Sequence, residues 1–214
     1  MTALALCGWL LALAALARVV ALRRRLELVA WAEHELRGPL AALTLAAGRA
    51  RPLEPAVLEG QLERARTALA DLAAARTGRR AQAVAERHDP RALAERVAAG
   101  WSAAGGRIAL EWSASAACVD ADQGRLSQAL GNLLSNALEH GRGPVTVRGR
   151  RAGRKLEIEV ANRGAADGER LMRPGRGRGL AIASRAAAEA GGALRLVTSD
   201  DETVVALELP LADA

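Results

Sequence analysis

Two narrow apolar seams near the N-terminus constrain the fold of this chain more than any other feature. The first seam has alternating three- and four-residue spacing and comprises Leu26, Val29, Glu33, Leu36, Leu40, Leu43 and Ala47. The second has the same spacing and comprises Leu58, Leu62, Ala65, Leu69 and Leu72. This spacing is typical of coiled-coil helices. Because two such helices cannot bury both of their faces alone, we predict a homodimer in which two helical hairpins form a four-helix bundle.

Prolines mark the predicted bounds of these helices. The helix of the first seam is predicted from about Leu26 to Arg51, and a turn over 52–55 separates it from a second helix that starts near Ala56. Pro39 lies inside the first pattern, where it removes an amide that would bond to the carbonyl of Glu35. We therefore expect a kink or a loosened turn in the first helix.

An apolar stretch of about 20 residues, from Ala3 to Leu22, precedes the first seam and is long enough to cross a bilayer as a helix. Arg18 lies near its C-terminal end, where its stem can reach the headgroups. Basic residues follow at 23–25, so the positive-inside rule predicts a single-pass protein of the bacterial inner membrane with its C-terminal part in the cytoplasm. A cleaved signal peptide is disfavoured, because the basic cluster follows the apolar stretch instead of preceding it.

The composition argues against two classes of protein. Of the 30 basic residues only Lys155 is a lysine, and the arginines are dispersed along a chain that has no Phe and no Tyr. Nucleic-acid binding is therefore not expected despite the net charge of +6, since stacking partners are scarce. Cys7 and Cys118 show neither disulfide nor metal-ligand spacing, and we expect both to be small buried apolar residues.

The pattern changes after a polar, Arg-rich stretch at 77–89, which is predicted to be a linker. Helices are predicted near 90–100, 123–139 and 180–190. Strands are predicted near 107–112, 117–119, 145–150, 156–161, 194–198 and 204–209. Gly and basic residues between the third and fourth strands indicate a hairpin. Mixed strands and helices in this order favour a two-layer α/β sandwich.

Three short strings carry residue types that suit phosphate chemistry. His34 lies one step off the first seam, where a docking domain could reach it. Asn132 and Asn136 are four residues apart, which places both amides on one side of a predicted helix, and amide oxygens are suitable ligands for Mg²⁺. A glycine-rich segment at 175–179 directly precedes another predicted helix, where backbone amides and the helix dipole favour phosphate.

The string His34-Glu35-Leu36-Arg37-Gly38-Pro39-Leu40 resembles the H box of sensor histidine kinases. The resemblance implies that His34 accepts a phosphoryl group from ATP and that Glu35 assists it. The string departs from the family at Gly38, where relatives usually have Thr or Ser.

Downstream segments resemble the remaining boxes of the same family, in family order. Residues 132–137 resemble the N box, which implies that Asn136 holds Mg²⁺ on the triphosphate and that Asn132 lines the phosphate side; His140 is a further phosphate contact in this reading. The segment 175–182 resembles a glycine box. The implied contacts with nucleotide there are Gly175, Gly177, Gly179 and Leu180.

At the adenine end the resemblance is less complete. Asn162 and Gly164 stand where the family has Asp-x-Gly, so that an amide replaces the carboxylate that receives the adenine amino group. Thr203 stands in the place of the family's Gly-Thr, near the adenine. Only about ten residues separate Gly164 from Gly175, which implies a short lid over ATP.

The resemblance implies four parts: a transmembrane helix at 3–22, a dimerisation and histidine phosphotransfer domain at 26–76, a linker at 77–89, and an ATP-binding domain of the Bergerat or GHKL type at 90–210. The implied activity is autophosphorylation of His34 from Mg-ATP, followed by transfer to an aspartate on a response-regulator receiver domain. The alternative is a degenerate relative that binds nucleotide weakly or not at all and serves as a dimeric membrane scaffold or regulator.

Overall fold

In a computed structural model of the chain, the residues described are 2–47, 55–75, 82–103, 105–115, 117–163, 178–199 and 201–212. Within the first two helices, the side chains at several positions, His34 and Glu35 among them, lie outside the described part.

A single long helix, α1, runs from Thr2 to Ala47 and joins the predicted apolar span to the predicted first seam helix. It continues through Pro39, whose ring is buried. Across the described residues, no helix is long and apolar enough to cross a membrane, so the predicted transmembrane helix is not found there. The prediction of a helix over the H box is confirmed for the backbone.

The second helix, α2, extends from Pro55 to Ala75 and packs against α1. Its buried face is not the leucine seam that the sequence emphasised. Leu58, Leu62 and Leu69 are all exposed in the single chain. The buried positions follow a second heptad pattern, offset from the first, and are Gln61, Arg64, Ala68, Asp71 and Ala75. Small and polar residues thus make the contacts within one chain, and the three leucines remain exposed on its surface.

The predicted linker contains a short strand that the sequence pattern did not indicate. Strand β1, Glu86–His88, precedes helix α3, Pro90–Ala103, and pairs antiparallel with β3, Val119–Ala121. The three residues of β1 are all polar and show no apolar periodicity. The sequence pattern therefore does not indicate this strand, which is recognised by its pairing with β3. The main-chain N–H of Val84, just before β1, donates a 2.9 Å hydrogen bond to Asp122 and holds this segment to the domain that follows.

A five-stranded mixed sheet forms the centre of the C-terminal domain, with strand order β2-β4-β5-β7-β6. Strand β2 pairs parallel with β4, and the other neighbours are antiparallel. The strand bounds are Ile108–Trp112 for β2, Val145–Ala152 for β4, Lys155–Arg163 for β5, Ala193–Thr198 for β6 and Glu202–Pro210 for β7. The predicted hairpin between the third and fourth strands is confirmed as β4 and β5, with Gly153 in a positive-φ turn.

Two further helices, α4 (Gln123–His140) and α5 (Arg178–Glu189), pack with α3 on one face of this sheet. The fully buried core between the layers is aliphatic, and Trp101 and Trp112 pack against it from partly buried positions. Its largest fully buried side chains include Leu130, Leu133 and Ile158. The predicted two-layer α/β sandwich is therefore confirmed.

The outer sheet face carries paired charges rather than a second layer. Glu208 is contacted by Lys155 and Arg195, and Arg150 by Glu157 and Glu159. Such exposed pairs are worth little individually, but they keep this face solvated. The expectation that both cysteines are buried is wrong: Cys7 and Cys118 are free and exposed. Cys118 directly precedes β3, and burial alternates from residue 117 to residue 121, so that Cys118 falls on the exposed side.

Candidate nucleotide-binding site

Helix α4 carries the predicted asparagine pair and has defined ends. It begins after the N-cap Asp122, whose carboxylate accepts a 2.9 Å hydrogen bond from the main-chain N–H of Arg125. It ends at His140, and the N–H of the C-cap Gly141 donates to the carbonyl of Ala137. These caps define the two ends of the helix, because they satisfy end groups of its backbone.

The two asparagines of α4 are held differently. Asn132 is buried, and its Nδ2 donates a 3.0 Å hydrogen bond to the carbonyl oxygen of Gln128. Its Oδ1 is thereby turned away from the helix backbone. Asn136, one turn later, is only partly buried. The pair thus offers one anchored amide and one that solvent can reach.

Gly179, in the first turn of α5, lies against this pair. A Cβ at this position would lie 3.0 Å from Nδ2 of Asn136 and 3.3 Å from Oδ1 of Asn132, which is tighter than ordinary contact. A side chain at position 179 would therefore require the two amides to shift by a few tenths of an ångström. The N-terminus of α5, which favours negative charge, is therefore brought to the same place as the amide pair. The structure thus brings Asn132, Asn136 and Gly179 together.

The two residues predicted at the adenine end are direct neighbours across β5 and β7. Asn162 pairs in register with Thr203, and both side chains are buried. Nδ2 of Asn162 donates a long 3.4 Å hydrogen bond to the carbonyl oxygen of Arg163. Gly141 leaves the space for this amide, since a Cβ there would lie 2.6 Å from Nδ2. The end of α4 and the ends of two central strands therefore meet at Asn162.

The remaining predicted contacts divide into three groups. His140 is exposed at the last residue of α4, one turn beyond Asn136. Leu180 is partly buried and packs against the domain core. The structure thus gives Leu180 a packing role, with its backbone near the start of α5. The third group lies outside the described residues and comprises Gly164, Gly175, Gly177 and the side chains of His34 and Glu35.

The donor set fits a magnesium ion that is bound mainly by phosphate. Among the described residues, no cluster of three or more His, Cys, Asp or Glu could hold a metal ion by itself. Mg²⁺ commonly takes one or two protein ligands and fills its shell with water and substrate phosphates. The partly buried amide of Asn136, beside a helix N-terminus that favours phosphate, would suit such a ligand.

Sequence reasoning missed a contact between the hairpin and α4. Arg125 and Asp71 form a buried bidentate ion pair, with Nη2 and Oδ1 2.6 Å apart. Burial alone would lower the pKa of Arg125, but the hydrogen bonds and charge of Asp71 outweigh it and raise the pKa above its ordinary value. Arg64 lies over Gly131, where a Cβ would be 2.5 Å from its guanidinium carbon. The sequence signal that could have indicated this contact is the heptad spacing of two polar residues, Arg64 and Asp71.

A family comparison identifies the domain that these residues build. Residues 121–213 match the family described as "Histidine kinase-, DNA gyrase B-, and HSP90-like ATPase". The match covers α4 with its asparagine pair, α5 and the strands from β4 to β7. A search of curated proteins finds no match to the chain.

Solved structures similar to this chain are sensor histidine kinases. The histidine kinase AdeS of Acinetobacter baumannii is 16% identical, with a TM-score of 0.53 over 85% of this chain and 96% of that chain. The kinase domain of the Escherichia coli osmosensor EnvZ is 23% identical, with a TM-score of 0.52 over 62% of this chain and 92% of that one. Full-length ShkA in complex with AMPPNP is 26% identical, with a TM-score of 0.56, and the match covers 88% of this chain but 46% of ShkA.

These comparisons confirm two predictions made from the sequence. The C-terminal domain is an ATP-binding domain of the GHKL type, and a helical N-terminal part precedes it. The matches to AdeS and ShkA are too extensive to involve the ATPase domain alone, so they include helices of the hairpin as well.

Proposed function

Because residues 121–213 form an ATPase domain of the histidine kinase-, DNA gyrase B- and HSP90-like family, we propose that this chain is a sensor histidine kinase. It autophosphorylates on His34 from Mg-ATP and passes the phosphoryl group to an aspartate on a response-regulator receiver domain. The enzyme is thus a protein-histidine kinase whose donor and acceptor parts lie in one chain.

The observation that carries the proposal is the meeting of Gly179 with Asn132 and Asn136. Two separate sequence boxes, more than 40 residues apart, supply a helix N-terminus and a pair of amides to one small region. A helix N-terminus binds phosphate through free N–H groups and its dipole. Asn132, which is anchored through its Nδ2 to the carbonyl oxygen of Gln128, helps to set the edge of this region, and Asn136 lies one turn away.

Asn136 would hold Mg²⁺ through its amide oxygen. An ion bound there would neutralise the negative charge that spreads over the phosphoryl group during transfer. The chain's own contribution is positioning: the N-terminal end of α5 orients the phosphates, and the buried core beneath α4 holds Asn132 in place. Phosphoryl transfer depends largely on such positioning and on electrostatic stabilisation.

On the acceptor side, we propose that Glu35 hydrogen-bonds one imidazole nitrogen of His34. This fixes the tautomer, so that the other nitrogen carries the lone pair that attacks the γ-phosphorus. The bond from phosphorus to the bridging oxygen of ADP breaks as the new P–N bond forms. Both residues lie in the helical part of α1 that precedes the buried Pro39.

A buried amide marks the proposed adenine end. Asn162 and Thr203, paired across β5 and β7, are both buried and polar at the rim of an aliphatic core. A neutral amide oxygen accepts a hydrogen bond more weakly than a carboxylate. We therefore expect a weaker affinity for ATP than in relatives that have Asp at this position.

We further propose that the protein is a homodimer through the hairpin. The support is the exposure of the seam: Leu26, Leu40, Leu58, Leu62 and Leu69 all lie open in a single chain. Leucines at heptad spacing on two adjacent helices are the pattern that a bundle with a second hairpin would bury. A second copy of this chain is the partner that this repeat fits.

Attachment to the bacterial inner membrane, with the catalytic part in the cytoplasm, stays part of the proposal. Its support is the N-terminal half of α1, where Trp9, Leu10, Leu11 and Leu13 are each more than half exposed. Apolar residues on every side of a helix suit a lipid environment better than water. Separation of membranes from a cell lysate tests this: the full chain is expected to sediment with them and to resist extraction by high salt.

The catalytic proposal is tested by incubating the full chain with Mg²⁺ and ATP labelled at the γ-phosphate. Wild-type protein should acquire label that acid removes and alkali does not, as expected of a phosphorus–nitrogen bond. His34→Ala should acquire none. Label that persists in this variant would contradict the assignment of His34 as the acceptor.

A scaffold or regulator with little nucleotide binding is the second candidate, and Asn162 favours it. The amide at the adenine end lacks the charge of a carboxylate, and its Nδ2 is directed to the carbonyl of Arg163. Calorimetry with a non-hydrolysable ATP analogue separates the two candidates. The kinase requires Mg²⁺-dependent binding, whereas the scaffold predicts no heat of binding with or without the metal.

A further inference from the structure

We propose that a groove on α1 binds an anionic phospholipid of the cytoplasmic leaflet, with an acyl chain along its apolar part and the phosphate at Arg24 and Arg25. This inference rests on the proposed attachment of the chain to the membrane, and it is independent of the kinase activity. Four properties of the groove support it: its apolar wall, its position on the helix, its length and its charge.

The groove runs along the N-terminal half of α1 and has a volume of about 550 Å³. Apolar side chains form most of its wall, and two arginines stand together at its C-terminal end. Leu13, Leu16 and Val20 are exposed in the single chain, so no other described part of the chain covers them. The apolar lining residues are Leu13, Leu16, Ala17, Val20 and Ala21.

The groove lies on the face of α1 opposite to the leucine seam. Continued toward the N-terminus with the same spacing, the seam passes from Leu26 to Leu22. Arg24 and Val20 each precede one of these positions by two residues, which turns the helix by about 200°. Because α1 is one continuous helix, this relation holds along the whole groove. In a dimer joined through the seam, the groove therefore faces lipid and not the second copy.

The length of the groove matches one leaflet of a bilayer. From Leu13 to Arg24 the helix advances by eleven residues, or about 16 Å at the helical rise. The hydrocarbon core is about 30 Å thick, so that one leaflet contributes about 15 Å. With Arg24 at the level of the headgroups, Leu13 lies near the middle of the membrane. An acyl chain whose headgroup is bound at Arg24 therefore has an apolar wall beside it through the depth of its leaflet.

The charge at the C-terminal end of the groove suits an anionic headgroup. Arg24 and Arg25 form no ion pair within the described part of the chain, and the nearest acidic residue along α1, Glu27, does not line the groove. A guanidinium group presents its donors in a fork that fits two oxygens of a phosphate. A phospholipid offers a phosphate and an acyl chain in one molecule, whereas free phosphate would leave the apolar part of the groove empty.

The neighbouring Arg23 does not line the groove, although it is adjacent to Arg24 in the sequence. One residue turns the helix by about 100°, which moves the side chain of Arg23 away from the groove. A general attraction between basic residues and an anionic membrane surface would use both arginines equally. A lipid seated in the groove uses Arg24, so the two positions form a matched pair for a test.

The test places the full chain in phosphatidylcholine bilayers that contain a trace of phosphatidylglycerol with a photoreactive diazirine in one acyl chain. After illumination, mass spectrometry of the digested chain locates the lipid adducts along α1. We expect adducts at Leu13, Leu16 and Val20. The same diazirine carried by phosphatidylcholine, at the same mole fraction, should label these positions much less, because its headgroup has no net charge.

Three variants test the role of the charge. Arg24→Gln should reduce the phosphatidylglycerol adducts by about fivefold, which is the usual contribution of one basic residue near an anionic membrane surface. Arg23→Gln removes the same charge outside the groove and should leave the adducts unchanged. Arg24→Lys keeps the charge without the fork of donors and should retain most of the labelling.

The apolar wall is tested independently of the charge. Ala17→Phe fills the groove and should displace the adducts from Leu16 and Val20. Ala14→Phe adds the same side chain at an exposed position that does not line the groove, and it should leave the adducts in place. Labelling that is the same in both variants would mean that the acyl chain does not lie in the groove.

Three further results would overturn the lipid site. Equal losses in Arg24→Gln and Arg23→Gln would mean that the membrane attracts the basic cluster as a whole. Equal labelling by the two probes would mean that the groove does not select an anionic headgroup. Adducts on Val19 and Leu22 instead of the groove would mean that a second copy covers it. Failure of membrane attachment looks different: the chain then does not sediment with vesicles of either lipid, and the site is excluded together with the attachment.

Discussion

The helical hairpin and the ATPase domain bury their residues in opposite ways. The domain encloses an aliphatic core between its sheet and three helices, and its outer sheet face is covered with paired charges. The hairpin buries small and polar residues within the chain and leaves its leucine seams exposed. The domain thus buries its own apolar residues, whereas the hairpin packs against the domain and leaves an apolar seam that the proposed second copy would bury.

The largest expected effect tests the domain side of this comparison. Leu130, on α4, is 2% exposed at the centre of the core. Leu130→Ala should lower the free energy of unfolding of the domain by about 2–5 kcal/mol, because the lost contacts and the remaining cavity add. Urea denaturation measures this. Leu196→Ala, at an exposed position on β6, is the matched control and should change the stability by about 0.5 kcal/mol or less.

The next effect tests the hairpin side. Leu69→Glu places a charge in the proposed dimer seam and should raise the dimer dissociation constant by about a hundredfold or more, because a buried unpaired carboxylate is strongly disfavoured. Sedimentation velocity measures the oligomeric state. Ala70→Glu adds the same charge one residue away, off the seam, and should leave the dimer intact. Equal behaviour of the two variants would show that the exposed leucines are not an interface.

A smaller effect tests how the domain core supports the site. Gly179→Ala adds a Cβ 3.0–3.3 Å from the amides of Asn132 and Asn136. The amide pair must then move, and we expect the affinity for Mg-ATP to fall by about ten- to a hundredfold. Calorimetry measures this, with Gly8→Ala as a control glycine that has no neighbour within 4 Å. Unchanged affinity would mean that the amide pair does not contact the nucleotide.

The smallest effect concerns the charged outer face of the sheet. Hydrogen bonds from Lys155, and then from Arg195, lower the pKa of Glu208 below its ordinary value. A carboxylate with a lowered pKa in the folded state stabilises the protein above its unfolded pKa, and this contribution is lost as the pH falls through the folded value. Glu208→Gln should therefore differ from wild type most near neutral pH and least in acid. Thermal unfolding as a function of pH tests this, and a difference that grows toward acid would contradict it.

The sequence predicted the domain more fully than the hairpin, and the reason is physical. Strands with alternating burial and helices with strong apolar periodicity indicate their own positions, and every predicted strand of the five-stranded sheet is found. Strand β1, with three polar residues, has no such pattern and depends on pairing with β3. Apolar periodicity in the sequence indicates which side chains are buried. It does not indicate a strand that forms only by hydrogen bonding to a partner strand.

For the candidate site, the spacing of residues in the sequence predicted which side chains share a helix face, but it did not predict their tertiary contacts. The grouping of Asn132 with Asn136 follows from helical geometry, whereas the closeness of Gly179 depends on how α5 packs on α4. The hairpin shows the same limit. Leucine spacing identified the helices correctly, but the face buried within the chain is the one with Arg64 and Asp71, because its partners come from a distant part of the sequence.

The account is tested most directly by locating the phosphate after the full chain is incubated with Mg-ATP, using mass spectrometry on digests kept at neutral to alkaline pH. It predicts one phosphate on the peptide that contains His34, and none when Asn136→Ala removes the proposed magnesium ligand. A chain that binds the ATP analogue with Mg²⁺ but carries no phosphate at His34 would contradict it.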